Sequence, residues 1–361
     1  MDISEEIFQL EEKIRQTPYH KGTEHQIGRW RARIAKLKSQ MWGRQTKKAG
    51  GGQGYAVKKS GDATVVLVGP PSVGKSALIN RLASTKSKVG SYDFTTLSVI
   101  PGMMKYKGAM IQIFDIPGLV QGAAQGRGRG REILSVVRTA DLILAMVDLE
   151  KIKMVDKIKK ELREFGIRLG EEPPKVRIKK TSRGGVKITT ATPLSQISSL
   201  TIQELAKEFR LHNAEVVVKE DISLGRMIDF LMGNRLYLPH LVVVNKIDLL
   251  EKGKKLPISE DSPLFISAQK DKGLKELKKA IWQKLDLIRV YLKPKDRPAN
   301  LDEPLVIKKE TNLKTILEKM TIPNKEEIKR AKIYGPGAKF EGQEVSFSFQ
   351  PQEGTMISFL G

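Results

Sequence analysis

Thr64-Val65-Val66-Leu67-Val68-Gly69-Pro70-Pro71-Ser72-Val73-Gly74-Lys75-Ser76-Ala77-Leu78-Ile79 decides the fold. An apolar β-rich run leads into a glycine-bounded turn, and a helical pattern starts near Ala77. The turn matches GxxxxGK[ST] and sits where that motif works, between a strand and a helix. Its backbone N–H groups can wrap a phosphate, aided by the positive end of the helix. Gly69 and Gly74 allow a close approach that a side chain would block. Pro70, Ser72, Val73 and Ala77 complete the cradle. Lys75 is expected to reach the β- and γ-phosphates, and Ser76 to ligate Mg²⁺.

Working outward, similar apolar runs recur at Ile111–Asp115, Leu142–Asp148, Leu241–Asn245 and Leu264–Ser267. Short, wholly apolar runs of this kind are buried on both faces of a parallel sheet. The expected fold is therefore α/β, a doubly wound and mostly parallel sheet. Each later run ends in a chemical signal. Asp115-Ile116-Pro117-Gly118 places a carboxylate that can hold Mg²⁺ through water, and an N–H at Gly118 that can sense a γ-phosphate. Asn245-Lys246-Ile247-Asp248 places a carboxylate at Asp248 that can accept both N1–H and the exocyclic amino group of guanine. Adenine lacks that donor pair, so Asp248 selects the base; Lys246 would cover the ring and Asn245 brace the pocket. Ser267-Ala268 can offer a backbone N–H to guanine O6. All four motifs lie at strand ends, where open α/β sheets bind ligands. Thr95 and Thr96 stand between the first helix and the second strand. A hydroxyl there, Thr96 by preference, can close on Mg²⁺ when the γ-phosphate is present.

Composition bounds the rest. The chain has 361 residues, enough for two to four domains, with 40% hydrophobic and 29% charged residues. No apolar run approaches the ~20 residues of a membrane span. The acidic start MDISEEIFQLEEK is unlike a secretory signal. With no cysteine, disulfides and thiolate metal sites are excluded. The expected setting is cytoplasmic, without a membrane partner, and the expected state a monomer. The formal net charge of +23 points to a polyanionic partner, RNA or a ribonucleoprotein before an anionic membrane. A lysine-rich surface of a heat-adapted protein is the competing explanation.

Residues 1–50 read as a helical hairpin. Ser4 is placed as the cap of a helix presenting Ile7, Leu10 and Ile14. Pro18 ends it, and Thr23 with Gln26 makes a capping box for a second helix. Ile27, Trp30, Ile34, Leu37 and Met41 form its apolar seam. Arg29, Arg31, Arg33, Lys36 and Lys38 lie opposite, as a solvated face or an RNA contact. Ten basic residues and no acidic one stand between Arg29 and Lys59. Gly50 to Gly54 reads as a flexible linker.

The interval from Leu149 to His240 is too long for one crossover, so residues 165–235 are expected to be an α/β insertion in a nucleotide domain spanning 60–290. Within it, Val176/Ile178 and Val186/Ile188 around Arg183-Gly184-Gly185 suggest a β-hairpin. Helices are expected at Leu200–Phe209 and Leu224–Met232, with a strand at Glu215–Val218 between them. Residues 291–361 are expected to form a small α+β domain of β-grasp type.

With Gly122-Ala123 and the run Gly126-Arg127-Gly128-Arg129-Gly130-Arg131 added to the four motifs, the sequence resembles the Obg family of GTPases. Its layout is similar to the developmentally regulated GTP-binding protein branch, in an archaeal form. The resemblance implies an N-terminal hairpin, an interrupted GTPase domain and a C-terminal TGS domain, whose signature is similar to Lys332-Ile333-Tyr334-Gly335-Pro336-Gly337-Ala338-Lys339-Phe340. It also implies association with the ribosome or ribosomal RNA. An accessory regulatory protein is an expectation of the mechanism, not of the resemblance. Two positions depart from the pattern. Gln121 stands where an acidic residue is expected, and Ser72 where potassium-activated relatives often carry asparagine, so K⁺ stimulation is open.

Many GTPases place a glutamine directly after DxxG to orient the attacking water. Here that residue is Leu119, which cannot hydrogen-bond. Slow intrinsic hydrolysis of GTP to GDP is the expectation, with Gln121, Gln125, a partner or a monovalent cation as sources of the missing group. A P-loop phosphotransferase is the first alternative, opposed by the guanine motif. A nucleic-acid-binding protein with a mainly structural nucleotide site is the second, opposed by the intact Lys75, Ser76, Asp115 and Asp248. His20, His25, His212 and His240 fit no metal or triad spacing.

Overall fold

The computed structural model describes residues 2–47, 61–83, 100–116, 136–250, 262–294, 297–320 and 325–361. Elements are numbered in chain order. The chain divides into two compact units, residues 1–54 with 163–237, and residues 55–162 with 238–361.

The second unit carries a six-stranded sheet: β1 (Ala63–Val68), β2 (Ile100–Tyr106), β3 (Ala109–Asp115), β4 (Leu142–Asp148), β10 (His240–Asn245) and β11 (Leu264–Phe265). Their order is β11-β10-β4-β1-β3-β2. All neighbours run parallel except β2, which is antiparallel to β3. Every residue of β1 and β4 is buried, as expected for strands covered on both faces. Leu78, Ile79 and Leu82 of α3 (Lys75–Leu82) enter the same core as Leu277, Ile281 and Trp282 of α7 (Leu274–Lys284). The chain leaves β1 toward β3 on one side and β4 on the other, so the carboxyl ends of β1 and β4 are the switch point where a ligand crevice opens.

The same unit ends in a five-stranded sheet of order β13-β12-β16-β14-β15. Its strands are β12 (Leu287–Leu292), β13 (Leu305–Lys308), β14 (Arg330–Tyr334), β15 (Gln343–Val345) and β16 (Met356–Leu360). The central pair, β12 and β16, is parallel and the rest antiparallel. Leu313 and Ile316 of the single helix α8 (Leu313–Lys319) close its core. This is a β-grasp arrangement, and it begins at Leu287, ahead of the expected boundary at 291, because β12 pairs with β13 from Leu287 onward.

In the first unit α1 (Ile3–Gln16) and α2 (Glu24–Lys47) form the hairpin. Ser4 lies inside α1 rather than capping it, and Asp2 takes the cap position without a side-chain bond. Thr23 precedes α2, but its hydroxyl donates to the Pro18 carbonyl at 2.6 Å and accepts from the His20 N–H at 3.1 Å. It closes the interhelical turn instead of a capping box. Ile34 and Leu37 pack with Ile7, while Met41 is exposed, so the seam is shorter than its periodicity implied. The reason is a second buried face on α2. Ala32 joins the core built by α5 (Ser199–Glu208) and α6 (Leu224–Met232). At Gly28 a Cβ would stand 3.2 Å from Leu224 Cδ1.

The inserted residues add β6 (Val176–Lys180), β7 (Val186–Thr190) and β8 (Ala214–Val218). Both arms of the expected hairpin are strands, but they do not pair with each other. The order is β6-β8-β7, with β8 antiparallel to β6 and parallel to β7. Asn213 splits the turn: its carbonyl accepts from the Thr181 N–H at 3.1 Å and its side chain from the Gly185 N–H at 2.9 Å. The more deeply buried strand thus takes the centre. Between α4 (Met154–Glu164) and the inserted sheet lies β5 (Ile167–Leu169), which pairs with β9 (Leu236–Leu238).

Candidate nucleotide site

The loop after β1 is fixed by steric limits at its two glycines. A Cβ on Gly69 would lie 2.1 Å from the Met146 carbonyl oxygen of β4. Gly74 has φ +94° and a Cβ there would meet Asn245 Nδ2 at 2.5 Å. Pro70 and Val73 are buried beneath the loop, whereas Ser72, Ser76 and Ala77 are exposed. Ser72 itself has φ +64°, a left-handed turn that is costly outside glycine.

Lys75 is only 8% exposed. Its Nζ donates to the carbonyls of Gly69 and Pro70, each at 3.1 Å. It stands 3.8 Å from Asp115 Oδ1 at the end of β3. Asp115 is buried too, and Oδ1 finds no hydrogen-bond donor among the described residues. Burial pushes its carboxyl above the ordinary value, and the Lys75 ammonium holds back part of the rise. A buried carboxylate oxygen without a donor is costly. It fits a hard cation or that cation's water, the ligand such an oxygen prefers. Among the described residues no three His, Cys, Asp or Glu side chains cluster for a metal. Mg²⁺ needs no such cage where one or two protein groups and substrate phosphates suffice. Asp115 and the exposed Ser76 hydroxyl are the donors present. Thr96 and Gly118, with Leu119, Gln121 and Gln125, lie outside the described residues.

The base-reading side is built on β10. Asn245 is 3% exposed; its Nδ2 donates to the Val73 carbonyl at 2.8 Å and its Oδ1 accepts from the Ala268 N–H at 2.9 Å. One amide therefore joins the phosphate loop, the strand end and the loop after β11. The Ser267 N–H donates to the Lys272 carbonyl at 3.0 Å. Both N–H groups of the Ser267-Ala268 pair are thus engaged within the chain. A further acceptor at the Ala268 N–H would have to share it with Asn245 Oδ1. Lys246 adopts a left-handed turn, φ +64°, and Asp248 follows it half-exposed. The Ser267 hydroxyl beside it, with Lys270 and Lys272 nearby, holds the Asp248 carboxyl below its usual range. It remains an acceptor-only carboxylate, as reading two N–H donors requires.

Sequence reasoning missed Asp148. It ends β4 in register with Asn245 and is 5% exposed. Its carboxylate lies 3.6 Å from Lys246 Nζ and accepts the Lys151 N–H at 3.1 Å. It steers the lysine expected over the base. The signal was present as the acidic residue closing the apolar run Leu142–Asp148.

The strand, loop and helix around Lys75, joined through Asn245 to the turn that carries Lys246 and Asp248, define a P-loop GTPase. Residues 64–180 match the family model described as 50S ribosome-binding GTPase. Residues 183–287 match the model for the C-terminal region of that domain. An uncharacterized GTP-binding protein of Methanocaldococcus jannaschii is 44% identical, over 100% of this chain and 93% of its own. Developmentally-regulated G-protein 3 of Arabidopsis thaliana is 36% identical over 99% and 98%. Human developmentally-regulated GTP-binding protein 2 is 35% identical over the whole of both chains. The chain belongs to the developmentally regulated GTP-binding protein family of GTPases. Among the described residues no helix is long and apolar enough to cross a membrane.

Proposed function

We propose that this GTPase is a GTP-operated switch acting on a ribosomal particle, slow alone and accelerated by its partner. The observation that carries the switch is the Lys75–Asp115 pair, a buried lysine 3.8 Å from a carboxylate oxygen that has no donor among the described residues. Lys75 exchanges the Gly69 and Pro70 carbonyls for the β- and γ-phosphates, while Asp115, Ser76 and Thr96 hold Mg²⁺. The metal, when bound, neutralises charge on the phosphate oxygens. Thr96 and Gly118 report the γ-phosphate, Asp248 and Lys246 hold guanine, and the Asn245 brace carries base contacts to the phosphate loop. Leu119 leaves the attacking water unoriented, and a partner supplying the missing group is worth ~10³ to 10⁵ in rate. Turnover of tens per second by the purified protein would contradict this.

The ribosomal target is supported by the family model's description and by the +23 charge. The sites extend to Gly69, Pro70, Ser72, Val73, Gly74 and Ala77 around phosphate, and to Ser267 and Ala268 at the base. We assign the hairpin to residues 1–50, the GTPase domain to 60–286 with its insertion at 165–235, and a TGS-type domain to 287–361, since β12 opens that domain's sheet at Leu287. The protein works as a cytoplasmic monomer, with an accessory regulatory protein. K⁺ and Na⁺ buffers at equal ionic strength distinguish cation stimulation from its absence. The decisive experiment is co-sedimentation with ribosomal particles, comparing GDP with a non-hydrolysable GTP analogue over a salt series. Binding that prefers the analogue supports the switch. Nucleotide-independent binding lost at modest salt rejects it.

A further inference from the structure

Two basic surfaces of the first unit differ in one respect. On α2 three of the five cations from Arg29 to Lys38 are already paired, Arg33 with Glu6 at 3.0 Å, Lys38 with Glu11 at 3.0 Å and Lys36 with Glu208 at 3.2 Å, while Arg29 and Arg31 are exposed. Much of that face is neutralised by the chain itself. The inserted sheet is the opposite case. Between Lys175 and Thr190 there are six basic residues and no acidic one. Arg177, Lys179, Lys180, Arg183 and Lys187 are all exposed, and their side chains have no ion-pair or hydrogen-bond partner among the described residues.

The strand register turns these residues into a surface. Val176, Ile178, Val186, Ile188 and Val216 face one core with α5 and α6. Strand alternation therefore sends Arg177, Lys179, Lys187 and Thr189 to the other side. Lys179 and Lys187 flank Glu215 of the central strand in one cross-strand row. Arg177 and Thr189 flank Val217 in the next. With strands ~4.8 Å apart and alternate residues ~7 Å apart, the face is a cationic grid on the order of 10 by 7 Å. Arg183 stands on the adjoining turn. One exposed carboxylate, Glu215, stands against four cations, Arg177, Lys179, Lys187 and Arg183. No aromatic side chain lies between Lys175 and Thr190, so this stretch offers no platform on which unpaired bases stack.

We propose that the open face of β6-β8-β7 is an RNA-binding surface, contacting the phosphates and ribose hydroxyls of a base-paired RNA helix rather than reading single-stranded bases. This deepens the ribosomal reading above and rests on it, moving the polyanion contact from the α2 face to the inserted sheet. Exposed cations bind phosphate by releasing counterions, and each contact steepens the salt dependence. Thr189 adds a hydroxyl to the same face. Backbone and shape recognition is the usual mode for double-stranded RNA, whose deep groove hides its bases.

The test uses the full-length protein loaded with GDP and a fluorescent RNA hairpin with a stem of ~16 base pairs. Anisotropy is read across a salt series for the wild type, R177Q/K179Q/K187Q, and R33Q/K38Q on α2. GTPase turnover and thermal melting are followed in parallel to show intact folding. The expected result is RNA binding by the wild type with a salt slope reduced by about 2 to 3 in the sheet variant. The α2 variant should keep the wild-type slope. An unchanged slope in the sheet variant, or an equal loss in the α2 variant, overturns this proposal. If ribosomal co-sedimentation persists alongside either result, the ribosomal reading survives. If the sheet variant loses the particle while the wild type ignores naked RNA, the face binds an acidic protein and the RNA assignment is wrong. If the wild type binds neither particle nor RNA, both readings fall together.

Discussion

Asn245 Nδ2 donates to the main-chain carbonyl of Val73 at 2.8 Å, so the strand end that precedes the base-reading aspartate also holds the phosphate loop. Its Oδ1 holds the Ala268 N–H at the same time. Asn245→Ala leaves a buried carbonyl and a buried N–H without partners. Each such loss costs about 1–3 kcal/mol. Stability should fall by that order, and affinity for GTP and GDP should fall together because the phosphate cradle itself loosens. Calorimetric titration with both nucleotides checks this, beside urea unfolding of the free protein. A loss confined to one nucleotide would refute the brace.

Asp248→Asn removes the acceptor pair without changing side-chain size. A charged hydrogen bond is worth about 1.5–3 kcal/mol, so GTP affinity should drop roughly 10- to 150-fold. Xanthosine triphosphate presents a carbonyl where guanine has its amino group, and the new amide can donate to it. Competition between the two nucleotides measures the exchange of preference. Unchanged GTP affinity would place base recognition elsewhere.

Asp115→Asn predicts a separation of stability from function. The Asp115 carboxylate is buried, with one oxygen that has no hydrogen-bond partner among the described residues, and burial disfavours its charged form even after the help of Lys75. The neutral amide should leave the nucleotide-free protein as stable as the wild type or more so. The same substitution should abolish the gain in GTP affinity produced by Mg²⁺. Thermal melting without nucleotide and titration with and without Mg²⁺ provide both readings. A lower melting point, or an intact Mg²⁺ effect, would contradict the argument.

The parallel sheet was legible because its strands carry their own signature. Leu142–Asp148 is a seven-residue strand buried throughout, and an apolar run of that length leaves little else for it to be. The phosphate loop was legible for a related reason, since its glycines, lysine and serine stand together in one short stretch of chain. Pairings between distant segments were not. Val176–Lys180 and Val186–Thr190 have hairpin spacing, yet β8 enters between them from some thirty residues further on. The basic side of α2 looked open because its acids, Glu6 and Glu11, lie 27 residues earlier. Asp148 was overlooked because its partner Lys246 meets it only through the β4–β10 register.

A charge cluster outside the nucleotide site gives the fold an acid dependence of its own. Asp229 of α6 is 5% exposed. Arg168 of β5 grips it with two bonds of 2.6 Å, through Nε and Nη2. Arg235, just before β9, adds a third at 2.8 Å. Burial alone would raise this carboxyl, but the two guanidiniums outweigh it and hold it below its ordinary 3.8. A carboxyl lowered by folding stabilises the native state above its unfolded value, and that contribution is lost as pH falls toward the folded value. Stability linked to Asp229 should therefore be complete at neutral pH and decline below about pH 4. Asp229→Asn leaves the buried Arg168 and the partly buried Arg235 without their counter-charge, a loss of about 3–5 kcal/mol. Urea unfolding at a series of pH values distinguishes the cases. The variant should start lower at pH 7 and change less than the wild type below pH 4. Parallel curves for the two proteins would show that the acid sensitivity arises from other groups.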